Sequence, residues 1–90
     1  MKLSEAAELS GFSVDQARRR LNQLAREGVI KRRHLPEEQN RWDYTDKAVE
    51  VLKQLMYYEQ DLGLTSKAGI IRLAVEHGGR TDPQLSLIHI

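Results

Sequence analysis

Apolar residues in the first third of the chain recur at helical spacing in two segments separated by a short turn. The first helix is expected to begin at the N-cap Ser4 and to end before Gly11. The second helix, residues 13–27, opens with Ser13 and Gln16 at the spacing of a capping box. Its apolar positions are Val14, Ala17, Leu21 and Leu24, with Ala25 beside them. We expect this stripe to enter the core and the other side of the second helix to face solvent.

Residues 29–44 have the pattern of a β-hairpin. The run VIKRR alternates and is β-branched at its start, HLPEEQN is turn-like, and RWDY is short and aromatic. Trp42 and Tyr44 are two positions apart, so they share one face of their strand. Because the chain has only one Phe, one Trp and three Tyr, we expect both side chains to fill the core rather than to stack on bases.

Two more helices follow the hairpin. Thr45 caps the third helix, whose apolar stripe is interrupted only by Glu59. The stripe consists of Ala48, Val49, Leu52, Leu55, Met56 and Leu62. The fourth helix begins at Thr65 or Ser66 and runs to about His77. Its apolar positions are Ile70, Ile71, Leu73 and Ala74. The order helix, turn, helix, hairpin, helix, helix predicts a mainly α fold, a winged helix-turn-helix with four helices and one two-stranded β-hairpin wing.

Charge is distributed unevenly, although the formal net charge is only +1. Residues 1–33 hold eight Lys or Arg against four acidic residues, a net +4. Residues 34–64 hold three basic against seven acidic residues, a net −4. A local basic surplus of this kind favours a polyanionic partner on one side of the domain.

The polar side of the second helix carries side chains suited to the DNA major groove. Arginine can donate two parallel hydrogen bonds to guanine, and asparagine can pair in the same way with adenine. Arg18, Arg19 and Asn22 are therefore the candidates for base contact. Asp15 can accept a hydrogen bond from cytosine or hold Arg19 in position, because the two residues are four apart.

Phosphate contacts are expected at the start of this helix and on the wing. Backbone N–H groups point outward at a helix N-terminus, which favours phosphate beside Ser13 and Gln16. The strands of the hairpin are basic, whereas Glu37 and Glu38 lie at its tip, so the outer face of the strands is expected to follow the DNA backbone. The full set of candidate DNA-binding residues is Ser13, Asp15, Gln16, Arg18, Arg19, Asn22, Arg26, Lys31, Arg33 and Arg41.

Other classes of function have little support in the sequence. The chain has no cysteine, and its three histidines lack neighbours at metal-ligand spacing. No nucleophile motif or phosphate-cradling glycine loop is present. We therefore expect no enzyme, no metal and no cofactor. No run of about 18 apolar residues occurs, and we expect a soluble, cytoplasmic protein.

The sequence resembles the DNA-binding domain of the MerR-type regulators. The similar stretches are EAAELSGFSV, NRWDYTDKAVEVLKQL and DLGLTSKAGIIRL, which together cover most of residues 3–75. Family members commonly show Tyr-Arg-x-Tyr-Ser where this chain has Arg41-Trp42-Asp43-Tyr44-Thr45, so Trp42 takes the place of the family's wing arginine and Arg41 is its neighbour. The second helix is also longer than is usual in this family. The resemblance implies a transcription factor that binds a pseudo-palindromic operator in double-stranded DNA as a homodimer of the full-length protein.

The end of the chain differs in character from the rest. We expect the winged domain to occupy residues 1–78 and a linker to occupy residues 79–84. The final six residues, LSLIHI, resemble the translation of a transposon-end sequencing adapter, and we interpret residues 85–90 as such a translation rather than as an edge strand. On this interpretation the natural protein continues after Gln84.

Two alternatives to a transcriptional regulator remain open on the sequence alone. A phage or plasmid protein that organises DNA would bind duplexes without a preferred site. A winged helix used as a protein-interaction module would direct the arginine face at an acidic partner.

Overall fold

The computed structural model describes residues 1–38 and 41–77. In these residues the elements are α1 (Leu3–Ser10), α2 (Val14–Arg26), β1 (Arg32–Leu35), a 3₁₀ turn (Pro36–Glu38), β2 (Arg41–Tyr44), α3 (Asp46–Gln60) and α4 (Ser66–Glu76). The predicted order of elements is confirmed. The chain folds as a mainly helical winged helix-turn-helix. The predicted linker 79–84 and the adapter-like residues 85–90 lie outside the described residues.

Local capping explains where most of the helices begin. The Ser13 hydroxyl accepts a hydrogen bond from the Gln16 backbone N–H at 3.1 Å, and the Gln16 side-chain oxygen accepts from the Ser13 N–H at 3.0 Å. This confirms the predicted capping box. The predicted cap of α1 is wrong, because Lys2 rather than Ser4 is the N-cap residue. The Glu5 carboxylate lies 3.4 Å from the Lys2 backbone nitrogen, so an acidic side chain accepts from a backbone N–H two residues before the expected cap.

The turn between α1 and α2 depends on a glycine. Gly11 has φ +90°, a left-handed conformation that residues with a Cβ rarely adopt. Its N–H donates to the Ala7 carbonyl at 3.0 Å and so closes the end of α1. Phe12 follows and is buried. This tight turn sets α1 across α2.

The core lies where the four helices meet. Its largest fully buried side chains are Leu21, Leu24, Val51, Leu52, Leu55, Ile70 and Leu73. Three residues predicted to be apolar core positions are instead exposed: Val14 (43 %), Leu62 (43 %) and Ile71 (41 %). Val14 faces the wing from the first turn of α2, Leu62 lies beyond the end of α3, and Ile71 lies on the side of α4 away from Ile70 and Leu73. Spacing alone does not show where a helix ends or which side of it other elements cover, so the apolar stripes were extended to these three positions.

The hairpin is shifted relative to the prediction. Val29 and Ile30 were expected to begin a strand, but both are buried against the helices before β1 begins. The Val29 N–H donates to the Leu24 carbonyl at 2.9 Å, which holds this segment to the end of α2. His34 and Leu35, expected in the turn, belong to β1. The strands pair antiparallel, with Arg32 opposite Tyr44 and His34 opposite Trp42.

An ion pair inside the domain fixes α2 to the second pair of helices. The Arg20 guanidinium donates to both oxygens of Glu59, with Nε to Oε2 at 2.8 Å and Nη2 to Oε1 at 2.7 Å. The Ser66 hydroxyl at the start of α4 donates to the same carboxylate at 3.1 Å. The guanidinium also lies 4.4 Å from the centre of the Phe12 ring. α2 is thereby held against both α3 and α4.

Candidate nucleic-acid interface

The exposed side of α2 carries most of the predicted site residues. Arg19 is the most exposed of the arginine run, with 77 % of its side chain accessible, and Arg18 follows with 53 %. Arg20 is different, because only 15 % of its side chain is accessible and it serves the ion pair with Glu59. The run of three arginines therefore contributes two side chains to the surface and one to the interior.

Asp15 organises the two exposed arginines. Its Oδ1 lies 2.8 Å from Nη1 of Arg18, and its Oδ2 lies 2.9 Å from Nη2 of Arg19. The Asp15 contact to Arg19 is the one expected from their spacing. Each guanidinium has five N–H donors in a planar fork, so one bond to Asp15 leaves several donors directed elsewhere. The arrangement presents two oriented guanidinium groups with one neutralising carboxylate between them.

The start of α2 offers donors rather than acceptors. In the capping box the side-chain oxygens of Ser13 and Gln16 accept from each other's backbone N–H. The side-chain N–H groups of Gln16 and the hydroxyl group of Ser13 are then the hydrogen-bond donors that these side chains can offer. Donors near the positive end of a helix dipole suit an anion such as phosphate.

The wing contacts α2 through a residue absent from the predicted set. Nη1 of Arg32 on β1 donates to Oδ1 of Asn22 and lies 3.4 Å from the Tyr44 hydroxyl oxygen. The guanidinium stacks over Trp42, with 3.8 Å from its central carbon to the ring centre. Tyr44 is buried, as predicted, whereas Trp42 is only half-buried and supports the arginine. Arg32 thus joins the wing to the candidate reading helix.

Two open clefts flank this contact. The larger, about 800 Å³, runs between the end of α2 and the base of β1. It is lined by Asn22, Ala25, Arg26, Ile30, Lys31 and Arg32. The other, about 580 Å³, lies between α1, α2 and β2. It is lined by Lys2, Leu3, Ser4, Val14, Arg18, Asn22, Arg41, Trp42 and Tyr44. Both clefts have basic walls, and among the residues that the structure describes no acidic side chain lines either one.

The acidic residue of β2 is neutralised locally. The N-terminal ammonium group of Met1 donates to Oδ1 of Asp43 at 2.7 Å. This hydrogen bond and the charge of the ammonium group hold the pKa of Asp43 below its ordinary value, and Arg33 on the paired strand adds to the effect. Asp43 therefore stays ionised and compensated beside the basic clefts.

The sequence pattern predicted most of these side chains but not two of the contacts between them. Arg32 was recognised as basic without any sign that it would bond to Asn22. The partner of Arg20 was signalled more clearly, because Glu59 interrupts the apolar stripe of α3 and a carboxylate at a core position needs a cation. Lys2 was also missed as a lining residue of the smaller cleft.

The described residues contain no group of three His, Cys, Asp or Glu side chains arranged to hold a metal ion. Within the same ranges, no helix has both the length and the hydropathy needed to cross a membrane.

Comparison with known proteins identifies the family. The family model described as MerR HTH family regulatory protein matches residues 1–73 of this chain, which include all of α1, α2, the wing and α3. Searches of curated proteins and of solved structures find no match. The family is one of DNA-binding transcription regulators and not of enzymes. The chain belongs to the MerR family of helix-turn-helix regulatory proteins.

Proposed function

We propose that this chain is the part of a transcriptional regulator that recognises a specific sequence in double-stranded DNA. In this proposal α2 enters the major groove and the wing lies along the phosphate backbone. The observation that carries it is the cluster of Asp15, Arg18 and Arg19, in which two exposed guanidinium groups are held in fixed positions on one side of α2.

Arg18 and Arg19 are the proposed base readers. A guanidinium group that donates to both O6 and N7 of guanine distinguishes this base from the other three. Asp15 reduces the freedom of both side chains before DNA arrives, so less conformational entropy is lost on binding. The carboxylate also opposes indiscriminate attraction to phosphate, which favours base contact over non-specific binding.

Six other candidates are proposed to hold the DNA backbone. Lys31, Arg33 and Arg41 are exposed on the wing or at its base, and Arg26 lines the larger cleft. Ser13 and Gln16 stand at the start of α2 with donors to give. Charges that neutralise phosphates contribute affinity without sequence information.

A full-length protein with this domain is proposed to act as a homodimer on a pseudo-palindromic operator. Two-fold symmetry in such a dimer would place two copies of α2 in successive major grooves, about 34–36 Å apart. A single domain then contacts only a half-site, and its affinity is expected to be far lower than that of the dimer.

Binding titrations with a duplex selected from random sequence test the proposal. Arg18→Ala or Arg19→Ala should cost about 1–3 kcal/mol on the preferred site and relax specificity. Arg33→Ala or Arg41→Ala should weaken binding to all sequences alike and reduce the salt slope by about one unit. Lys53→Ala on α3, which lines neither cleft, is the control for the loss of a positive charge.

The same titrations separate the competing functions. Equal affinity for all duplexes would indicate a DNA-organising protein. No binding to any duplex would favour a protein-interaction module. Unchanged affinity after both Arg18 and Arg19 are replaced would refute α2 as the reader.

A further inference from the structure

The contact between Arg32 and Asn22 determines which way the Asn22 amide faces. A guanidinium group can only donate hydrogen bonds, so the atom of Asn22 that it contacts must be the carbonyl oxygen Oδ1. The amide nitrogen Nδ2 consequently points to the other side. This orientation follows from the chemistry of the pair and leaves no ambiguity between the two ends of the amide.

Arg32 is itself held from several directions by the wing. Its guanidinium lies flat on Trp42 at 3.8 Å and 3.4 Å from the hydroxyl oxygen of Tyr44, a residue that is only 3 % exposed. Trp42 in turn contacts the ring of His34, with 4.8 Å between ring centres. The wing, and not α2, therefore decides how Asn22 is presented.

This restraint conflicts with the adenine contact expected from the sequence. Paired recognition of adenine requires Oδ1 to accept from N6 while Nδ2 donates to N7, with both atoms directed at the base edge. In the structure Oδ1 is turned toward the wing. To form the adenine pair, Asn22 would have to rotate and give up its bond to Arg32.

We propose that Arg32 is a positioning residue for specificity, which presents Asn22 to the major groove as a hydrogen-bond donor. A side chain that offers only the donor Nδ2 favours guanine, because N7 and O6 of guanine are both acceptors. On adenine Nδ2 can bond to N7 alone, because N6 is itself a donor. This inference rests on the proposed entry of α2 into the major groove. It assigns a role in sequence selection to a wing residue that need not touch a base.

Selection of bound sites from random duplexes, carried out with the wild type and matched variants, tests this assignment. Asn22→Ala should erase the preference at one base pair and so locate the Asn22 contact. The wild type should select guanine there. Arg32→Met should shift the ratio of adenine to guanine at that position by about fivefold or more, because Asn22 is then able to form the paired contact.

Two further variants keep the outcome interpretable. Lys53→Met removes one positive charge from the exposed side of α3, outside both clefts, and should leave guanine preferred. Asn22→Asp keeps an acceptor for Arg32 but has no donor, so it should lose the guanine preference even if Arg32→Met does not fold.

Failure of the inference is distinguishable from failure of the proposed function. Selection of adenine by the wild type at the position located with Asn22→Ala would overturn the inference while leaving α2 as the reader. An unaltered preference in Arg32→Met or in Asn22→Asp would also overturn it. Equal binding of all duplexes by the wild type would refute the proposed function and the inference together.

Discussion

Replacement of Arg20 by methionine should destabilise the domain strongly, although Arg20 belongs to the same arginine run as Arg18 and Arg19. Methionine retains much of the apolar stem against Phe12 but removes both hydrogen bonds to Glu59. The Glu59 carboxylate, with 11 % of its side chain accessible, would keep only the hydroxyl of Ser66 as a hydrogen-bond partner among the residues that the structure describes. A nearly buried charge would remain without its counter-ion.

The magnitude follows from the burial of the pair. Removing one partner of a fully buried ion pair costs about 3–5 kcal/mol. Because 15 % and 11 % of the two side chains reach solvent, we expect about 2–4 kcal/mol. A domain of this size has a free energy of unfolding on the order of 5–15 kcal/mol. Arg20→Met should therefore remove a large part of the stability.

Urea unfolding of four proteins measures this effect as a double-mutant cycle. Arg20→Met, Glu59→Leu and the variant that carries both changes are compared with the wild type. The double variant should lie within about 1–2 kcal/mol of the wild type, because it retains neither charge of the pair and the Ser66 hydroxyl loses only a hydrogen-bond partner. A cost below about 1 kcal/mol for Arg20→Met, or a coupling energy near zero, would refute the role given to this pair.

The pair also makes stability depend on pH in a defined direction. Hydrogen bonds from Arg20 hold the pKa of Glu59 below its ordinary value, despite the opposing effect of burial. The contribution of this lowered pKa to the free energy of unfolding is complete above the pKa of about 4.3 that Glu59 has in the unfolded chain. It is lost as pH falls through the lower pKa of Glu59 in the folded protein. Without Arg20, burial raises the pKa of Glu59 in the variant. The stability difference between the wild type and Arg20→Met should accordingly be constant near neutral pH and narrow as falling pH protonates Glu59, first in the variant and then in the wild type.

Three other predictions concern the turn, the reading surface and assembly. Gly11→Ala should cost about 1–2 kcal/mol in thermal or urea unfolding, because φ is +90° and the added Cβ would lie 3.3 Å from the Met56 methyl carbon; an unchanged midpoint would contradict this. Asp15→Asn should raise the affinity for non-specific duplex DNA and steepen the salt dependence of that binding, because Arg18 and Arg19 lose their neutralising carboxylate. A lower non-specific affinity would contradict this role of Asp15. The 90-residue chain should sediment as a monomer or weak dimer, since α3 buries its apolar side within the domain, and a tight dimer would refute this expectation.

Local signals in the sequence predicted the elements, because those signals act within a few residues of where they occur. Ser13 with Gln16, and the caps Thr45 and Thr65, satisfy backbone N–H groups three residues ahead. The prediction of a cap failed at Ser4, because the helix begins earlier and the carboxylate of Glu5 accepts from the backbone N–H of Lys2. Periodicity likewise identified the core helices but not their limits. It assigned exposed residues such as Val14 to the core because spacing alone does not show what packs on each side.

The connections between distant segments could not be predicted in the same way. Asn22 and Arg32 are ten residues apart in sequence, and their contact depends on a strand that begins three residues later than expected. Val29 and Ile30 delay that strand because burying two apolar side chains against α2 outweighs their preference for extended structure. Only Glu59 carried a signal, since a charge within an apolar stripe requires a distant partner. The excess of basic over acidic side chains on α2 could be predicted from the sequence, whereas the division of its arginines between surface and core could not.

Mapping of backbone amide chemical shifts during titration with a selected duplex tests the central claim most directly. If α2 is the reader, the largest changes should fall on residues 13–26, with smaller changes at Lys31, Arg33 and Arg41 on the wing. The amides of α4 should be nearly unaffected. Changes concentrated on α4, or spread without preference while α2 stays unperturbed, would contradict the assignment of this helix to the major groove.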